Sequence, residues 1–175
     1  FVDWSNGNTN ASFSYTMPAA TTTLTANFIR QYTVAATAGE GGTITSGTGT
    51  YDAGATVNVV ATANEGYRFK EWGDHSTNAT YTISDINADY NLTASFVATY
   101  TFALNQAEGG SVSTTSNNGT YDNGTHITVT ATATTPTYRF GYWRINGNDN
   151  TQLTNNVYEF DLTANTTVEP VFVRR

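Results

Sequence analysis

The chain has 175 residues, no cysteine, a formal net charge of −7 and a single lysine, Lys70. It therefore has no basic patch to neutralise phosphates, which argues against nucleic acid and against an anionic membrane surface as partners. Disulfides are excluded, and no apolar run approaches the ~18 residues that would insert this segment into a membrane.

The first element met along the chain is Phe1-Val2-Asp3-Trp4, and it returns as Phe69-Lys70-Glu71-Trp72 and as Phe140-Gly141-Tyr142-Trp143. A recurrence at about seventy residues marks a tandem array and outranks any isolated motif as a guide to function. Each copy then closes on a segment ending in Phe: Leu24-Thr25-Ala26-Asn27-Phe28, Leu92-Thr93-Ala94-Ser95-Phe96 and Val168-Glu169-Pro170-Val171-Phe172. The spacing from Trp to that Phe is 24 residues in the first two copies and 29 in the third, so five extra residues are expected in a loop after Trp143. Residues 1–30 read as the back half of one repeat, 31–98 as a complete second repeat and 99–175 as a complete third.

From residue 31 onward the front half of the repeat is also visible. Tyr32-Thr33-Val34 returns as Tyr100-Thr101-Phe102, and Gly41-Gly42-Thr43-Ile44 as Gly109-Gly110-Ser111-Val112. Gly49-Thr50-Tyr51-Asp52-Ala53-Gly54 returns as Gly119-Thr120-Tyr121-Asp122-Asn123-Gly124. The apolar positions alternate: Val57, Val59 and Ala61 take one face of a strand, as do Ile127, Val129 and Ala131 in the next copy. Asn-Gly, Asp-x-Gly and Gly-Gly turn signals separate these runs, and no segment has a helical period with caps. The pattern predicts an all-β chain of small tandem domains, each a sandwich or grasp-like fold of about six short strands. Residues three apart on a regular strand face opposite sides, so burying both Phe69 and Trp72 calls for a bulge or bend between them. A unit of this size is marginal alone, so contacts between neighbouring repeats are an expected source of stability.

In order, Tyr32, Gly41, Gly42, Ile44, Tyr51, Gly54, Val57, Ala61, Gly66, Tyr67, Phe69, Trp72, Ala94 and Phe96 resemble the divergent internalin-type B-repeat, a family of tandem bacterial extracellular repeats. The third copy departs from that pattern at Thr137, in place of the Gly before Tyr138, and at Pro170, in place of the closing Ala. These changes put its local turn and edge pairing in question. The resemblance implies spacing, adhesion or surface display, with no catalytic residues to carry over. It points to a non-enzymatic structural segment of a secreted or cell-surface protein such as an adhesin, stalk or filament.

Candidate chemistry is sparse. Asp74-His75-Ser76 has the residue types of a catalytic triad, but successive residues of an extended chain point apart and cannot line up as nucleophile, base and orienter. His126 occupies an outward strand position. No carboxylate pair is placed for acid–base work, and no cofactor is indicated. Asp52 and Asp122 open matched Asp-x-Gly turns, where the carboxylate is expected to bond its own backbone. One Asp per loop falls short of the six to eight oxygens that calcium requires, so no metal site is assigned. The rival function is carbohydrate binding, as an accessory module of a secreted enzyme or adhesin that engages surface glycans. Trp4, Trp72 and Trp143 recur in every copy and are assigned to packing. The ligand candidates are therefore Tyr142, Arg144, Asn148 and Asp149 around the enlarged loop of the third copy, with Tyr90 in a loop of the second. Open β edges leave pairing with other copies of the chain as a further expected contact.

Overall fold

The computed structural model describes residues 1–175, and every regular element in it is a β-strand. In chain order these are β1 (Asp3–Trp4), β2 (Ala26–Asn27), β3 (Gln31–Ala38), β4 (Gly42–Ser46), β5 (Gly49–Asp52), β6 (Val57–Ala63), β7 (Tyr67–Trp72), β8 (Thr80–Ile83) and β9 (Tyr90–Leu104). They are followed by β10 (Gly110–Thr114), β11 (Gly119–Asp122), β12 (Thr125–Ala133), β13 (Tyr138–Ile145), β14 (Asn148–Asn150), β15 (Val157–Leu162) and β16 (Thr166–Arg174). Two compact units emerge: Phe1–Gly39 with Thr43–Thr62 and Glu71–Ser95, and Glu40–Gly42 with Ala63–Lys70 and Phe96–Arg175. Both units draw residues from the second sequence copy.

In the first unit, β1 and β2 pair antiparallel, with Asp3 opposite Asn27 and Trp4 opposite Ala26. β3 pairs antiparallel with β5 and runs parallel to the start of β9, from Val34 opposite Tyr90 to Ala38 opposite Ala94. Tyr90 is thus the first residue of a strand and not part of a loop. β6 and β8 pair with Val57 opposite Ile83 and Val59 opposite Tyr81. The alternation of apolar residues is realised: Val57, Val59 and Ala61 are 5 %, 0 % and 4 % exposed, while Asn58 between the first two and Thr62 after the third face solvent. Side chains on that outer face bond across the sheet, Thr82 Oγ1 donating to Asn58 Oδ1 at 2.8 Å. β-branched residues with one dry and one hydroxyl-lined face suit such a half-buried sheet.

The second unit repeats the arrangement. β10, β12 and β15 form one sheet, and the end of β9 pairs antiparallel with β11 and parallel with β16, with Phe102 opposite Thr166. Its core consists of Phe102, Ile127, Val129, Ala131, Trp143, Leu162 and Val168. In β13 the register slips between Phe140 and Tyr142, which stand opposite the consecutive residues Phe172 and Val171. This is the bulge that the Phe-x-x-Trp spacing requires. It returns Trp143 to the side of Phe140, and the two ring centroids lie 5.1 Å apart.

The Gly-Gly signals have a packing reason in this unit. A Cβ on Gly110 would fall 2.0 Å from Cζ of Phe172, and one on Gly42 would fall 2.2 Å from Cζ of Phe96. Only a residue without a side chain lets the closing Phe lie flat on the strand. Where Thr137 replaces Gly, the turn before Tyr138 is one residue longer, through Pro136, and contains no residue with positive φ. Pro170 keeps its place opposite Trp143, beyond the three-residue pairing of β16 with β9.

The expected enlarged loop after Trp143 is instead a β-hairpin. Asn146 and Gly147 turn the chain with φ of 49° and 79°, and Asn148–Asn150 pair back onto β13 as β14. Two successive left-handed residues match the twist of a tight hairpin.

Candidate functional site

The hairpin brings three of the four candidate ligand residues together. Arg144 stands opposite Asp149 on one side and Glu169 on the other. Its Nε donates to Asp149 Oδ1 at 2.7 Å and its Nη1 to Glu169 Oε1 at 3.4 Å. The Tyr142 hydroxyl donates to Asp149 Oδ2 at 3.0 Å. Asn148 does not join them, because its amide turns to the carbonyl of Asn146 in its own hairpin turn. The Arg144 guanidinium, followed by the Tyr142 hydroxyl, holds the Asp149 carboxyl below the usual aspartate range. The Asp149 carboxylate in turn raises the Tyr142 phenol and the Arg144 guanidinium. Each oxygen of Asp149 accepts one bond from within the cluster, which holds the three side chains together. No pocket indents either unit.

Asp74, His75 and Ser76 do not form a catalytic line. Ser76 donates both its amide and its hydroxyl to Asp74 Oδ1, at 3.1 and 2.8 Å, and the Tyr81 hydroxyl donates to Asp74 Oδ2 at 2.9 Å. These bonds, the Ser76 hydroxyl first, hold the Asp74 carboxyl below its ordinary range. His75, with a positive φ of 69°, turns away and sets Nδ1 3.1 Å from Glu71 Oε2. A base that faces neither the hydroxyl nor the aspartate has no role in a triad. His126 is an outward residue of β12 whose Nδ1 lies 2.8 Å from Asp161 Oδ1 on the neighbouring strand. No group of three or more His, Asp or Glu side chains converges in a way that could hold a metal ion.

The recurring tryptophans are tied down in the same manner in each copy. Trp4 Nε1 donates to the Asn10 carbonyl at 3.1 Å, Trp72 Nε1 to that of Asn78 at 2.8 Å and Trp143 Nε1 to that of Asn155 at 2.9 Å. Asn78 and Asn155 fold their own side chains onto the amides of Thr80 and Val157, an Asx turn that holds the carbonyl toward the indole. Trp72 and Trp143 are 1 % and 0 % exposed, so the bond satisfies the single polar atom of a ring that is otherwise in the core.

The Asp-x-Gly turns depart from the expectation that each carboxylate bonds its own backbone. Asp52 Oδ1 accepts from Gln31 Nε2 at 2.8 Å. Asp122 is gripped by Arg68, whose Nε donates to Oδ1 at 2.5 Å while Nη2 donates to Oδ2. This bidentate pair joins residues 54 positions apart, one from the second sequence copy and one from the third. The available sequence signal was a matched charge: Arg68 and Arg139 both sit in Tyr-Arg-Phe, as Asp52 and Asp122 both end Gly-Thr-Tyr-Asp.

The model of the divergent InlB B-repeat domain matches residues 1–31, 32–99 and 100–175, three successive matches that together span the chain. The chain belongs to the divergent InlB B-repeat family. Membership points to a repeat region of a bacterial extracellular protein, in a class of domain that is generally non-catalytic. Neither the curated proteins nor the solved structures contained a match.

Proposed function

We propose that this B-repeat chain is a non-enzymatic structural segment of a larger secreted or cell-surface protein, such as an adhesin, stalk or filament, and that it spaces or displays other elements. The supporting observation is where the repeated positions are spent. The shared Trp, Phe and Gly residues serve the core, the indole–carbonyl bond and the close approach of Gly42 to Phe96 and of Gly110 to Phe172. Arg144, Asp149 and Tyr142 form a cluster whose residues the second copy does not repeat, and the charged residues that do recur, Arg68 with Arg139 and Asp52 with Asp122, lie apart from it. A device repeated for its chemistry would repeat its reactive groups, and this one repeats its packing.

On this reading residues 1–30, 31–98 and 99–175 are successive modules and their main partners are one another. Stretching the chain in a single-molecule force experiment tests it. Residues 31–98 and 99–175 should unfold in separate events, each releasing on the order of 200 Å of chain. One all-or-none event would contradict the modular reading. Capture of the folded chain by an insoluble polysaccharide, lost on Tyr142→Ala, would replace it with the accessory carbohydrate-binding function.

A further inference from the structure

The Arg68–Asp122 pair lies at a joint with three parts. Gly66, just ahead of β7, accepts the amide of Thr99 through its carbonyl at 2.8 Å. The Ala98 carbonyl accepts the amide of Asn123, in the Asp-x-Gly turn, also at 2.8 Å. Asp122 stands opposite Thr99, so the turn is delivered to Arg68 by the strand that leaves the second copy. Arg68 also donates Nη1 to the Phe69 carbonyl at 3.0 Å, which limits how its guanidinium can rotate. Two N–H groups on two carboxylate oxygens make a directional contact as well as an electrostatic one.

The parts recur elsewhere, singly. At the first Asp-x-Gly turn the Ala53 amide donates to the Arg30 carbonyl at 2.8 Å, the counterpart of Asn123 and Ala98. At the far end of the third copy the Arg175 amide donates to the Thr137 carbonyl at 2.9 Å, the counterpart of Thr99 and Gly66. Arg139 therefore occupies the place of Arg68, in the same Tyr-Arg-Phe strand and beside the same backbone bond. It is exposed and makes none of the ion pairs of the fold. Arg174, the counterpart of Ala98, turns its guanidinium 5.8 Å over the ring of Tyr138.

We infer that Arg139 is the receiving half of a second clasp, and that its partner is the carboxylate of a Gly-Thr-Tyr-Asp turn in a further B-repeat continuing strand β16 past Arg175. The inference rests on the reading of the chain as an array of modules and adds to it a contact between the Tyr-Arg-Phe strand of one sequence copy and the Asp-x-Gly turn of the next. Residues 98–99 set the position of Asp122, so the occupant is a repeat joined in the same chain and not a free carboxylate. Each joint then carries one charge-assisted lock whose strength falls with salt.

The test extends the chain by attaching a copy of residues 100–175 directly after Arg175, in register because Arg175 corresponds to Thr99. Arg139→Ala, Asp→Asn at the added copy's counterpart of Asp122, and the double variant are compared by thermal denaturation in low salt. Arg68→Ala with Asp122→Asn provides an internal reference. Each single change is expected to lower Tm by about 1–3 °C, and the double change by no more than either alone. Arg139→Ala in the original 175-residue chain should leave Tm unchanged. Additive losses at the new joint, or an equal loss from Arg139→Ala with and without the added copy, would overturn the inference. Absence of coupling at the Arg68 reference would do so as well. Tyr142-dependent polysaccharide capture would instead remove the function proposed above and leave the measured coupling in place.

Discussion

Residues 1–30 and residues 99–175 carry the same Phe-x-x-Trp and closing-Phe motifs, and they treat them differently. In the third copy Trp143 is fully buried, Phe172 lies on Gly110, and strands β10, β12 and β15 supply the opposite wall. In residues 1–30 the strands shrink to two residues each, Trp4 is only half-buried against Phe1 and Phe13, and Phe28 is 74 % exposed. The indole–carbonyl bond is present in both. The local turn therefore forms without the second sheet, whereas burial of the aromatics depends on it. What the motif encodes is one wall of a core whose other wall is built on β10 and β12, which precede the Trp in the repeat, together with β15, which follows it.

The sharpest way to break this comparison is truncation of the two tryptophans. Trp143→Ala should destabilise the second unit by about 3–5 kcal/mol in chemical denaturation, as expected for a large ring lost from a packed core. Trp4→Ala should cost a small fraction of that. Equal costs would mean that burial does not separate the two regions.

The Gly–Phe contact gives a smaller effect of defined origin. Gly110→Ala places a methyl group against Phe172 and should cost about 1–3 kcal/mol by overpacking. Phe172→Leu in the same chain should recover part of the loss, which a double-mutant cycle would detect. Phe28→Leu in residues 1–30, where the ring is mostly in solvent, should be nearly silent.

The smallest effect concerns the hairpin cluster. Arg144 and Tyr142 depress the folded-state pKa of Asp149 below the value of about 3.9 expected in the unfolded chain. The stabilisation from these bonds is therefore present above that unfolded value and is lost as pH falls through the lower, folded one. The side-chain carboxyl resonance of Asp149 should titrate below the ordinary aspartate range, and Arg144→Ala should move it upward. A titration unmoved by that change would assign the depression to another cause.

Much of the architecture was legible because it depends on local alternation. Val57, Val59 and Ala61 announced their strand face, and the awkward three-residue step from Phe140 to Trp143 announced the bulge. The hairpin at β14 was not legible, because Asn148-Asp149-Asn150 has little strand propensity and pairs only through the neighbouring β13. Tyr90 was misplaced for a related reason: it opens a strand defined by a parallel partner more than fifty residues earlier. The Arg68–Asp122 pair was missed because turn chemistry was assigned to each Asp from its neighbours alone. Its real partner is distant in sequence and visible only once β9 has been placed. Local rules governed the alternating faces, and failed where a strand or a turn carboxylate takes its partner from another segment of the chain.

Hydrogen exchange at the three indole Nε1–H groups, followed by NMR on the intact chain, tests most directly whether the repeated aromatics are core or binding surface. All three groups donate to a carbonyl, so a difference in rate reports burial and not the mere presence of the bond. Trp72 and Trp143 should exchange slowly, at the rate of global or whole-unit opening, and Trp4 should exchange much faster. Fast exchange at Trp72 and Trp143, matching Trp4, would place these rings at the surface and contradict the account.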